Sequence, residues 1–182
     1  MSRVGVVALQ GGFAAHARAL EACGHAPVLV RAPRDLEGLA GVILPGGEST
    51  VHLRLLQPDG RAGLGAALDA FVRRGHPLLA TCAGLILAAR EVTGPAQPSY
   101  AWLDVTVARN GWGRQLDSFE ASDDAGVHRL VFIRAPRITA VGPSVTALAT
   151  YRGEPILIRQ GNRWGATFHP ELTDSSLHAR VF

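Results

Sequence analysis

The chain has 182 residues, 47% of them hydrophobic and 18% charged, with a formal net charge of +3. This length supports one good core and is short for two, so one domain over residues 1–182 is expected. All 18 basic residues are arginine; the absence of lysine excludes Schiff-base chemistry and a phosphate-loop lysine, and arginines scattered without interleaved aromatics argue against a nucleic-acid partner.

Residues 4–9 form a continuous apolar run, read as a strand, followed by Gln10-Gly11-Gly12 and a helix with apolar spacing over 13–23. A second strand is expected over 27–31 and a third over 41–44, the latter running into Pro45-Gly46-Gly47-Glu48-Ser49-Thr50. Helices follow over 50–56 and 64–74, then a strand over 77–80 and apolar helical sequence again from about Gly84. Strands that are apolar throughout and alternate with helices indicate a parallel sheet covered on both faces. After about residue 98 the pattern changes to strand-like segments over 102–109, 117–121, 129–134, 145–150, 156–159 and 164–168, with a short helix from about Ser175. These are read as antiparallel additions to the same domain. No charged-then-apolar leader opens the chain and no apolar run approaches the ~20 residues of a membrane span, so a soluble, cytoplasmic protein with no membrane partner is expected.

The junction after the fourth strand raises a question of chemistry. Ala80-Thr81-Cys82-Ala83-Gly84 has small residues around a nucleophile between strand and helix, the pattern of a nucleophile elbow. Such a turn lifts the thiol to the carboxyl edge of the sheet, at a helix start whose dipole and free N–H groups favour thiolate. A buried cysteine acting as a small hydrophobe is the other reading of this residue alone. Cys23, ending a helical stretch before Gly24, is read as structural, and neither cysteine has metal-ligand spacing, so no metal and no cofactor are expected.

A catalytic thiol needs a base, and the base needs an orienting partner. Of seven histidines, His16, His25, His52, His76, His128 and His178 fall in helices or turns and are assigned solvated or capping roles. His169 differs because it follows a strand and precedes Pro170 and Glu171, a carboxylate placed to fix the imidazole tautomer. Neither glycine-rich turn is a nucleotide site: residues 10–12 lack GxGxxG, and the Pro45–Thr50 loop lacks a lysine. Its glycines are read as letting backbone N–H groups face a substrate or a developing oxyanion.

TCAGL at 81–85, FHPEL at 168–172 and the order Cys, His, Glu resemble the class I glutamine amidotransferases. Within them, ALQGG at 8–12, LPGGEST at 44–50, RNGWGRQLDSFEA at 109–121 and FIRAP at 132–136 resemble the glutaminase subunits of pyridoxal 5′-phosphate synthases. The resemblance runs in order from Val4 to Leu172. It implies a three-layer α/β, flavodoxin-like fold: a mainly parallel central sheet with helices on both faces and antiparallel additions in the C-terminal half. It further implies Cys82 as nucleophile, His169 as general base and then acid, and Glu171 as orienting carboxylate. The glutamine pocket would involve Gly47, Glu48, Ser49, Arg109, Ile133 and Arg134, with Gln10 lining the same site and the oxyanion held at Gly47 and Ala83. A guanidinium such as Arg109 suits the substrate carboxylate, and Glu48 its ammonium end.

The implied partner is a separate (β/α)₈-barrel synthase subunit in a large hetero-oligomer, to which ammonia from L-glutamine passes through an internal path. The resemblance also implies weak activity without that partner, which a flippable Gly46-Gly47 peptide would explain. Departures are limited: Ala80 replaces a usual glycine, Gly111-Trp112 stands where serine and phenylalanine are usual, and ten residues after Leu172 are fewer than the usual final helix takes. Other readings are a glutaminase serving another synthase, such as the imidazole glycerol phosphate enzyme, a ThiJ/PfpI-like redox or stress protein, and a non-catalytic binding subunit.

Overall fold

The computed structural model describes residues 1–57, 63–109, 111, 118–173 and 176–182. In chain order the first half holds β1 (Arg3–Val7), α1 (Phe13–Ala22), β2 (Ala26–Val30), a 3₁₀ turn (Pro33–Leu36), β3 (Gly41–Leu44), α2 (Ser49–Leu56), α3 (Leu64–Arg73), β4 (Leu78–Thr81) and α4 (Ala83–Ala88). There follow β5 (Ala89–Thr93), β6 (Leu103–Ala108), β7 (Phe119–Ser122), β8 (Arg129–Phe132), β9 (Arg137–Val141), β10 (Thr146–Tyr151), β11 (Glu154–Gln160) and β12 (Arg163–Ala166). A 3₁₀ turn (Pro170–Leu172) and α5 (Ser176–Val181) complete the chain.

Seven strands form the central sheet in the order β10-β11-β12-β4-β3-β1-β2. β12, β4, β3, β1 and β2 pair in parallel, while β10 and β11 are joined antiparallel at one edge. β3 and β4 are buried at every residue, which explains their uninterrupted apolar sequences. Alternation still decides the faces. Val6, Ile43, Leu79 and Trp164 stand opposite one another across four strands and join Leu20 of α1 and Leu177 of α5 in one core layer. Val42, Leu44, Leu78 and Ala80 point to the other face, where Leu56, Leu68, Phe71 and Leu85 of α2, α3 and α4 cover them. Each fully buried leucine contributes about 1.5–3 kcal/mol over an exposed one, so these two layers hold the sheet between its helices.

The C-terminal additions are more divided than expected. Besides the antiparallel edge β10-β11, a separate sheet β5-β6-β9 packs Trp102, Leu103, Val105, Val107 and Ile138 into the layer of α2 to α4, and β7-β8 form a hairpin on the opposite face. Within that separate sheet β5 and β6 are parallel. Two strands were not foreseen. β5 lies in alanine-rich sequence of high helix propensity, yet α4 stops after six residues because Ala89 turns extended and pairs with Leu103. β9 buries only Ile138, so it shows no alternation to read. The expected strand over 129–134 ends at Phe132 because Arg134 takes a positive φ of 46°. The starts of the expected 117–121 strand and C-terminal helix touch Asp117 and Ser175, outside the described residues.

Among the described residues, no helix is long and apolar enough to cross a membrane. The parallel strands β1, β3, β4 and β12 end at Val7, Leu44, Thr81 and Ala166, so the segments carrying Gln10, Gly46, Cys82 and His169 follow on one edge of the sheet.

Candidate active site

Cys82 is the single residue between β4 and α4, with φ 47° and ψ −107°. A side chain held in this sparsely populated conformation costs about 1–3 kcal/mol and persists because its surroundings enforce it. The Cys82 N–H donates to the Ala166 carbonyl at 2.9 Å. Two residues on, a Cβ at Gly84 would lie 2.0 Å from the Leu44 carbonyl oxygen, so only glycine lets α4 settle against β3. α4 has just six residues, which limits the dipole expected to act on the thiol.

His169 follows β12 and opens the Pro170–Leu172 turn, its N–H donating to the Val131 carbonyl at 2.9 Å. Its Nδ1 lies 2.7 Å from Glu171 Oε1, and the ring stands beside Cys82, whose Sγ–H points to the Ile133 carbonyl at 3.8 Å. Burial pushes the imidazole pKa down, but the Cys82 and Glu171 partners outweigh it and hold the value at about 10. At neutral pH the ring is therefore an imidazolium between sulfur and carboxylate. Burial favours protonating Glu171, yet the hydrogen bond from His169 and the proximity of His16 and His169 keep its carboxyl below the ordinary range. Gly46 passes directly over this pair: a Cβ there would meet His169 Cε1 at 2.5 Å and Cys82 Cβ at 3.3 Å.

The solvated or capping roles expected for six histidines hold poorly for three of them. His16, His52 and His178 are fully buried, whereas His25, His76 and His128 are partly exposed. His16 Nε2 lies 3.2 Å from Glu171 Oε2 and 3.1 Å from Thr81 Oγ1, and its Nδ1 lies 2.9 Å from His178 Nε2. Burial is the main cause that lowers its pKa to about 4, so His16 is neutral at neutral pH. The missed signal was position: His16 shares the buried face of α1 with Ala19 and Leu20. His52 of α2 faces the Pro45 and Gly46 carbonyls, and its burial likewise lowers its pKa.

A cleft of about 440 Å³ opens over Cys82. His169 and Glu171 line it, and so do Gly47, Glu48, Ser49, Ala83, Arg109, Ile133 and Arg134, the residues that the sequence analysis grouped into a pocket. Arg109 Nη2 lies 3.4 Å from Glu48 Oε1, so a cation and an anion stand side by side at the wall. Glu48 also caps α2 through Thr50 N–H at 3.4 Å. Gln10 does not reach the cleft wall. Its amide instead accepts from Glu48 N–H at 3.2 Å and donates to the Glu48 carbonyl at 3.0 Å, bracing the Gly46–Glu48 loop from behind. Gly12 N–H adds a bond to the Gly46 carbonyl at 3.1 Å. Residues 110 and 112–117 of the selective 109–121 stretch lie outside the described residues. Among the described residues, no three or more His, Cys, Asp or Glu side chains are arranged so that they could hold a metal ion.

Comparison with known proteins gives the constellation a relationship. The sequence pattern of the SNO glutamine amidotransferase family matches residues 6–182. The pyridoxal 5′-phosphate synthase subunit PdxT of Geobacillus kaustophilus is 47% identical over 178 residues, covering 94% of this chain and 88% of that one. The subunit of the same name from Deinococcus radiodurans is 49% identical over 188 residues, covering 98% and 94%. A crystal structure of a glutamine amidotransferase superposes with a TM-score of 0.89 at 41% identity, covering 98% of this chain and 96% of the other. With a strained thiol elbow, a buried His–Glu pair beside it and this match over nearly its whole length, the chain belongs to the SNO glutamine amidotransferase family.

Proposed function

We propose that the chain, acting as one glutaminase domain, hydrolyses L-glutamine to L-glutamate and ammonia and supplies the ammonia to a separate pyridoxal 5′-phosphate synthase subunit. Cys82 attacks the side-chain amide carbon, and the N–H groups of Ala83 and Gly47 stabilise the resulting oxyanion. The His169 imidazolium gives its proton to the departing ammonia, leaving a γ-glutamyl thioester on Cys82. The neutral ring then takes a proton from water, whose oxygen attacks the thioester and releases glutamate. Glu171 holds the Nδ1–H of His169 throughout and stabilises the imidazolium. Arg109 receives the α-carboxylate of glutamine and Glu48 its ammonium, exchanging their mutual pair for two to the substrate. Ser49, Ile133 and Arg134 complete the pocket.

The observation that carries this reading is the imidazole of His169, bonded to Glu171 at 2.7 Å and standing beside the strained Cys82. The partner reading rests on the relatives' printed names and on the absence of lysine, since building a pyridoxal ring from sugar phosphates calls for imine chemistry that another chain must provide. That partner is a (β/α)₈-barrel subunit in a large hetero-oligomer in the cytoplasm. A Gly46-Gly47 peptide that turns on docking gives a physical route to stimulation by the partner. The test is glutamate release by the purified chain, alone and with a candidate barrel subunit, with Cys82→Ala as control. Strong stimulation that disappears in Cys82→Ala is expected; release retained by Cys82→Ala removes the mechanism, and release that is indifferent to the barrel removes the partner.

A further inference from the structure

His16 is a fully buried histidine that the proposed chemistry does not use, and it lies directly behind the Cys82–His169–Glu171 set. We propose that His16 is a positioning residue for this set, holding the Glu171 oxygen that His169 leaves unused, and that His178 fixes which ring nitrogen of His16 carries the proton.

The argument begins with the carboxylate, whose side chain is 1% exposed. Oε1 receives Nδ1–H of His169 at 2.7 Å, and Oε2 lies 3.2 Å from His16 Nε2. An anionic oxygen left without a donor in a buried site is costly, and a lone pair pointed at it is worse, so the proton of neutral His16 belongs on Nε2. There it bonds Thr81 Oγ1 at 3.1 Å, while Glu171 Oε2, 3.2 Å away, makes no hydrogen bond and meets the N–H only as a close dipole. Nδ1 must then accept, and the group 2.9 Å from it is His178 Nε2, which accordingly donates. The neighbouring polar groups His178, His16, Glu171, His169 and Cys82 thus run from α5 and α1 to both the nucleophile and its base. Thr81 adds a second tie, because it is the residue immediately before Cys82.

A neutral donor suits this role. It orients Glu171 without cancelling the negative charge that holds His169 as imidazolium. The titratable groups facing His16 are Glu171 from the 3₁₀ turn, His178 from α5 and, beyond the carboxylate, His169.

The inference rests on the glutaminase reading, and its test separates the two. In the full chain with its barrel partner, His16→Gln places an amide N–H near the Nε2 position, whereas His16→Asn reaches only the Nδ1 position and removes the N–H that stands 3.2 Å from Glu171 Oε2. The Asn variant is expected to lower kcat by about 10- to 100-fold with little change in KM, as for other residues that orient a catalytic group from behind. With less hold on the imidazolium, its iodoacetamide alkylation profile at Cys82 shifts to higher pH, while His16→Gln keeps both the wild-type profile and most of kcat. Equal kcat and superimposable alkylation profiles for the two variants overturn the proposal. His178→Leu, which removes the group 2.9 Å from His16 Nδ1, is the second variant: the same upward shift is expected, and an unshifted profile in the folded protein overturns the role given to His178. Alkylation needs no glutamine turnover, so a wild-type chain that alkylates at Cys82 but releases no glutamate sinks the glutaminase reading and leaves the positioning role decided by the variants.

Discussion

Acidification should unfold this protein partly through His16. In the unfolded chain the side chain takes up a proton near its ordinary 6.5, whereas in the folded protein burial delays protonation to about 4. The unfolded state therefore binds more protons between these values, so stability is complete above about pH 6.5 and is lost as pH falls toward 4. A displacement of this size corresponds to roughly 3 kcal/mol, a large part of the 5–15 kcal/mol that holds an ordinary domain folded. His52 is displaced in the same direction, and the lowered carboxyls of Glu171, Asp35 and Asp124 lose stability only at the acid end of the window. His169, raised to about 10, contributes a constant amount below 6.5. Comparing wild type with His16→Gln removes these shared contributions. Urea unfolding followed by tryptophan fluorescence at intervals from pH 7.5 to 4 should show the wild type losing about 3 kcal/mol more than the variant, with similar m values. Parallel stability curves would refute the claim that folding excludes the proton from His16.

Gly84→Ala should destabilise the fold, because its Cβ meets a backbone oxygen at 2.0 Å that no rotamer can move. A loss of about 2–3 kcal/mol is expected, seen as a melting temperature lowered by about 5–10 °C. Arg109→Met should raise KM for glutamine at least about tenfold with a smaller effect on kcat, since a charge-assisted contact to the substrate carboxylate is lost. Steady-state glutamate release measures both parameters, and an unchanged KM would remove Arg109 from the substrate site.

Much of the fold and of the candidate site was legible in the sequence because the signals are local. β3 and β4 are buried on both faces and so are written as unbroken apolar runs. The elbow demands small residues at fixed offsets around Cys82, and Glu171 reaches His169 across two residues of one short turn. What could not be read there depends on partners distant in the chain. β5 is a strand only because β6 lies beside it, against the helix propensity of the Leu87-Ala88-Ala89-Arg90 stretch that leads into it. Glu48 and Arg109, 61 residues apart, become neighbours only when α2 and the end of β6 meet over the sheet edge. Residue types and spacing pointed to Cys82, His169 and Glu171 as the candidate nucleophile, base and carboxylate. Tertiary structure alone decided that His16 and His178, 162 residues apart, stand behind that carboxylate, because burial and proton placement are properties of packed neighbours and not of any one stretch of chain.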